Sequence, residues 1–176
     1  MAAIKMSREG ARELIGHEGV VLTRYLDTRG VWTLGVGHTA AAGDPDPAGF
    51  TGALTLTGAI DLFMSDLERY EAAVARAVTT PLKQHEFDAL VSFHFNTGAI
   101  ATAALTRALN AGDRARAAEQ FMGWKKPPEI LGRRRKEQAL FADGVYANGG
   151  RAMLYPASPA GRVDWTRGRR VSLAGL

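Results

Sequence analysis

Hydrophobic positions along this chain change period, and the change divides it into regions. Ala11, Leu14 and Ile15 recur at helical spacing between Ser7, a suitable cap, and Gly19, a suitable stop, which predicts a helix ending near Glu18. Val20–Leu26 and Val31–Leu34 are β-prone runs on either side of Asp27-Thr28-Arg29-Gly30, which reads as a hairpin turn. Residues 40–52, rich in Ala, Gly, Asp and Pro, read as a loop, followed by a short extended piece ending near Leu56.

From Thr57 the helical period takes over. Ile60, Phe63, Met64, Leu67, Val74 and Val78 predict one helix of roughly 20 residues, about 30 Å long. Thr80-Pro81 is expected to open the next helix. Phe87, Leu90, Val91, Phe93 and Phe95 make that helix apolar nearly all round up to Gly98, as suits the centre of a core. A short helix carries Leu105 and Leu109. Asp113 caps another with Ala117, Phe121 and Trp124, Pro127-Pro128 breaks it, and a last helix runs to Gly144. The remaining stretch, with two Pro and alternating apolar residues, reads as extended or as a short hairpin. The fold class expected is α+β, mostly helical: a helix and small sheet first, then a helical bundle. No repeat, heptad or low-complexity segment interrupts it.

Composition narrows the class. A chain of 176 residues is long enough to bury about two thirds of its unfolded surface. There is no cysteine, so neither disulfides nor thiolate metal sites contribute, and no cofactor or metal motif is present. The opening MAAIKMSREG lacks a signal-peptide layout and no run of 18 apolar residues occurs, so a soluble protein made in the cytoplasm is expected. The net charge of +4 resides entirely in residues 151–176, which hold five Arg and one Asp, while residues 1–150 are balanced. That asymmetry suits contact with an anionic surface, and equally suits a solvated tail that aids solubility.

The candidate chemistry lies in HEGVVLTRYLDTRGVWTLGVGHT, where eight residues separate Glu18 from Asp27 and five more separate Asp27 from Thr33. Two carboxylates and a hydroxyl supply an acid for a leaving oxygen, a base for water and a partner to position that water. At a helix C-terminus Glu18 meets the negative end of the dipole, which favours its protonated form. Asp27, on a solvated turn, is expected to stay ionised. Gly35 and Gly37 leave backbone room beside the strand end for substrate.

This segment resembles the active-site segment of phage-type lysozymes, glycoside hydrolase family 24. Their pattern of Glu, eight residues, Asp, five residues, Thr and then Gly-x-Gly-His is met by Glu18, Asp27, Thr33, Gly35, Gly37 and His38. The likeness continues through PLKQHEFDALVSFHFNTG, LNAGDRARAAEQFMGW and GRRRKEQALF, covering about residues 7–142. It implies a lysozyme-like two-lobed fold: a catalytic domain over 1–149, with a small hairpin lobe at about 15–57 and a helical lobe at about 58–149 plus the first helix, and a basic tail over 150–176. It implies hydrolysis of the β-1,4 bond between N-acetylmuramic acid and N-acetylglucosamine in bacterial peptidoglycan, with Glu18, Asp27 and Thr33 catalytic. Some members lack the Asp and act as transglycosylases, whereas this chain keeps Asp27. An Arg near the start of the last helix pairs with the catalytic Glu in the family; Arg133 matches best and Arg134 competes. His38 matches a structural His, hydrogen-bonded to a carboxylate. Asn96 faces the cleft by the same analogy, with helix capping as its rival role, and Trp124 is read as core over sugar stacking.

The resulting expectation is a monomeric endolysin, made in the host cytoplasm and acting at the wall after a holin or similar release partner opens the way. Arg167, Arg169 and Arg170 would meet anionic envelope components while Leu154, Tyr155 and Trp165 pack back on the body. The rival readings are a non-catalytic peptidoglycan-binding module, a chitin-directed glycoside hydrolase, and a nucleic-acid binder through the Arg tail, which no recognised motif accompanies.

Overall fold

A computed structural model describes residues 4–175. They form six α-helices and five strands: α1 (Arg8–Glu18), β1 (Val21–Leu26), β2 (Trp32–Gly35), β3 (His38–Thr39), α2 (Leu56–Ala77), α3 (Gln84–Thr97), α4 (Ala104–Asn110), α5 (Arg114–Gln120), α6 (Leu131–Asp143), β4 (Arg151–Leu154) and β5 (Arg169–Ser172), with short 3-10 turns between. The chain is mostly helical α+β, and it divides into two compact units. Of the described residues, one unit comprises 12–66 and 148–175, the other 4–11 and 67–147.

The mixed unit is built on the antiparallel sheet β1-β2-β3. Val21 pairs with Gly35 and Tyr25 with Thr33, so four steps along β1 face only two along β2. The surplus makes a bulge, which bends β1 and increases its twist. The third strand, β3, was not apparent from the sequence because two residues are too few to show a period; it forms because the turn at Val36-Gly37 returns the chain, pairing Leu34 with His38 and Thr33 with Thr39. Gly35 and Gly37, at φ +64° and +78°, supply the left-handed backbone this return requires. The extended piece expected before Leu56 is absent: that stretch is irregular, held by Leu54 N–H to the Leu22 carbonyl at 2.8 Å.

The C-terminal segment belongs to this unit. β4 and β5 pair antiparallel, and the segment reaches β1 at both ends. Val20 N–H bonds Met153 O at 2.8 Å, Tyr155 N–H bonds Val20 O at 2.9 Å, and Leu26 N–H bonds Gly161 O at 2.8 Å. An edge strand that would otherwise present unpaired backbone groups is thereby covered. Leu154 is buried, whereas Trp165 is 61% exposed and packs edge-on against Tyr155 at 4.8 Å.

In the helical unit α3 packs against α6 and α4 against α5. Phe87, Leu90, Val91 and Phe93 of α3 are fully buried, as their all-round apolar pattern predicts. Phe93 meets Phe121 edge-on at 5.5 Å, and Phe121 meets Phe141 at 5.5 Å. Phe95 instead lies half-buried against Tyr70, and Trp124, read as core, leans on Phe93 while remaining 36% exposed. Thr80-Pro81 does not open α3. Glu86 reaches back to Lys83 N–H at 2.8 Å and also binds Arg114 at 2.9 Å, so the helix starts where its first-turn carboxylate finds partners. At the other end of the chain order, the Ser7 hydroxyl accepts Gly10 N–H at 2.9 Å, capping α1.

Candidate active site

Glu18, Asp27 and Thr33 all fall in the mixed unit, each on a different element. Glu18 is the last residue of α1 and exposed. Asp27 follows the end of β1. Its Oδ1 accepts the backbone N–H groups of Arg29 and Val31, both at 2.8 Å, an Asx-type arrangement that closes the hairpin. The Val31 hydrogen bond is the largest influence holding the Asp27 carboxyl below its ordinary value. The Arg29 backbone and charge act in the same sense, and desolvation opposes them.

Thr33, in β2, is 3% exposed. Its hydroxyl donates to Val31 O at 3.0 Å, and the Asp27 N–H donates to the same carbonyl at 3.0 Å. With its one proton so used, the Thr33 oxygen presents lone pairs as an acceptor.

Tyr25 links the two carboxylates, and sequence reasoning passed it over. It pairs across the sheet with Thr33. Burial raises its hydroxyl to about 12, and the negative charges of Glu18 and Asp27 push it the same way, while the Gly37 backbone pulls against them. One phenol is therefore within electrostatic reach of both carboxylates, one preceding the bulged strand and the other following it.

His38 is 1% exposed, with Nδ1 at 2.9 Å from Asp66 Oδ2 and Nε2 at 3.0 Å from Pro45 O. It ties β3 to α2 and to the loop within the mixed unit.

The family model for phage lysozyme matches residues 15–138. The chain belongs to the phage lysozyme family. It is 39% identical to the endolysin of Salmonella phage P22 over 145 residues, covering 78% of this chain and 98% of that protein. Among solved structures, the endolysin from Escherichia coli O157:H7 phage FAHEc1 matches with a TM-score of 0.76 at 30% identity, covering 84% of this chain and 99% of that one. The muramidase domain of SpmX from Asticaccaulis excentricus matches at 0.68 and 31%, covering 78% and 97%. The lysozyme-like fold of this chain is thus shared along most of its length, and the family is one of glycoside hydrolases.

In this lysozyme-family chain the other candidates, Arg133 and Asn96, lie in the helical unit. Arg133 Nε donates to Glu137 Oε1 at 2.8 Å and Nη2 to Ser92 O at 3.1 Å. Arg134, fully buried, contacts Glu137 Oε2 at 2.7 Å, donates to Asn96 Oδ1 at 2.6 Å and lies over the Phe93 ring at 5.3 Å. Ser92 Oγ adds a donor to Glu137 Oε1 at 2.7 Å. One carboxylate thus serves both arginines, and the Asn96 side-chain oxygen is an acceptor for Arg134. Glu137 and Asp66 gave no sign in the sequence, because each looks like an ordinary helical acid until its partner folds against it.

Among the described residues, no helix is long and apolar enough to cross a membrane.

Proposed function

We propose that this lysozyme cleaves the β-1,4 bond between N-acetylmuramic acid and N-acetylglucosamine of bacterial peptidoglycan, with Glu18 as general acid, Asp27 as general base and Thr33 as the positioner of water. The observation that carries this reading is the shared Val31 backbone. It fixes the Asp27 carboxylate and the Thr33 hydroxyl in one hairpin, and leaves both as acceptors. A water that donates one hydrogen to each turns its lone pair outward, as a nucleophile must. Asp27, held ionised by two backbone donors, takes the proton as the water attacks. Glu18, exposed at the helix end, delivers one to the departing glycosidic oxygen.

Attack by water from the face opposite the leaving group inverts the anomeric centre. Gly35 and His38 support the site by holding the strand end and the loop, while Asn96 holds the buried Arg134 within the helical unit. The release partner and the monomeric state stand as parts of the same proposal, as does contact of Arg167, Arg169 and Arg170 with anionic groups of the envelope, the carboxylates of the wall polymer included, which their exposure supports.

The test is mass spectrometry of fragments released from purified peptidoglycan. Reducing-end muramic acid is expected; anhydro-muramic ends would overturn the role given to Asp27. If the wild-type chain solubilises the wall no faster than Glu18→Gln, the role of Glu18 falls with it.

A further inference from the structure

The C-terminal segment is hydrogen-bonded to Val20, just ahead of β1, and again to Leu26 at the end of that strand. A cavity of about 390 Å³ lined by residues of both β1 and this segment is within the range of small-ligand sites. Its inner wall is apolar, from Leu22, Leu154 and Tyr155, and Thr23 supplies a hydroxyl. Arg167 and Arg169 stand at it, both exposed. Arg169 has no ion-pair partner within 4 Å among the described residues, while Arg167 feels the charge of Asp164. The family match ends at residue 138, so every tail residue here lies beyond it.

We propose that this cavity is an accessory substrate site that holds the short acidic peptide borne by the wall glycan; the idea rests on the peptidoglycan reading above. Charge complementarity selects the occupant. Two guanidiniums beside an apolar wall match a ligand that carries carboxylates on a small, partly apolar frame, and Arg pairs with carboxylate in a two-pronged geometry. A lipid surface or a polyphosphate would call for a flat, uniformly charged face. This site is concave, and two further exposed arginines of the tail, Arg162 and Arg170, do not line it. Holding the peptide here raises the effective concentration of glycan at the catalytic residues without touching the chemistry.

The experiment uses the full chain and, as probe, a synthetic alanyl-isoglutamyl stem peptide with free carboxylates, beside the same peptide fully amidated. Binding is followed by calorimetry for the wild type and for the double variant Arg167→Gln/Arg169→Gln, with thermal unfolding as the folding control. Binding of the free acid is expected to weaken at least tenfold both on amidation and in the variant. On intact peptidoglycan the variant is expected to show a raised KM at unchanged kcat, and on glycan strands stripped of peptide it is expected to match the wild type. The proposal is overturned if the peptide does not bind, if amidation or the variant leaves its affinity unchanged, or if phosphatidylglycerol vesicles or inorganic phosphate bind more tightly than the peptide. Continued hydrolysis of stripped glycan by the wild type in any of those cases leaves the catalytic reading standing, whereas loss of hydrolysis there counts against that reading instead.

Discussion

Asp27 and Thr33 are fastened to the same backbone carbonyl, that of Val31, which accepts the Asp27 N–H and the Thr33 hydroxyl, each at 3.0 Å. The spacing between the two residues therefore has a structural cause: a hairpin turn of this length lets one peptide group orient both. Replacing Thr33 by Val removes the acceptor while keeping the shape. A fall of about 10²-fold in kcat is expected on peptidoglycan, the lower end for a positioned proton-transfer group, with Thr33→Ser retaining most of the activity.

The same hairpin makes Asp27 resistant to protonation. Its folded value lies below the ordinary 3.8, so as pH falls the unfolded chain takes up the proton first. Its stabilising contribution is complete above the unfolded value and is lost as pH falls through the lower folded one. Carboxyl-carbon NMR should place the Asp27 midpoint below 3.8. Val31→Pro, which deletes the largest lowering contact, should move that midpoint up; an unmoved midpoint would remove Val31 from the explanation.

Tyr25 reports on the charge of each carboxylate. Ultraviolet titration should find its hydroxyl near the value of about 12 that burial and the two charges impose. Glu18→Gln and Asp27→Asn should each lower it, without bringing it to the ordinary 10, because desolvation is the larger cause. If neither substitution moves it, the phenol is not in the field of the carboxylates.

Glu137 is 1% exposed and shared by Arg133 and Arg134. Glu137→Ala leaves both guanidiniums without that shared carboxylate in the helical unit, at a cost of about 3–5 kcal/mol by the usual penalty for breaking a buried pair. Chemical denaturation measures it, and a loss under 1 kcal/mol would show the pair to be better solvated than its burial indicates.

Gly161 fastens the tail. It stands at φ +82°, and a Cβ there would meet the Trp32 ring at 2.6 Å. Gly161→Ala is expected to cost about 1–3 kcal/mol from backbone strain alone. It should also loosen residues 156–162, which hydrogen exchange at Leu26 N–H would report as faster opening.

Several helices were legible because their signals are local. Ser7 caps α1, Asp113 caps α5 through Arg116 N–H at 2.9 Å, and α6 ends before Gly144. The start of α3 was not legible, since it depends on Glu86 meeting Lys83 and Arg114, one near and one far in the chain. Strand β3 was hidden by its length. In the candidate site, Glu18, Asp27 and Thr33 stood out through type and spacing. Tyr25 did not, because its character comes first from burial and then from the charges of Glu18 and Asp27, which only the folded chain supplies.

The sequence by itself determined the helix caps, the hairpin, the family and the residue types available for acid–base chemistry, since each depends on neighbours a few positions away or on a recurring pattern. Tertiary structure decided which groups act on which. It set Val31 between Asp27 and Thr33, Asp66 beside His38, Glu137 between two arginines, and the C-terminal segment along the edge of β1. Hydrogen bonding and desolvation depend on distance in space, and burial assigns that distance only after the chain has folded.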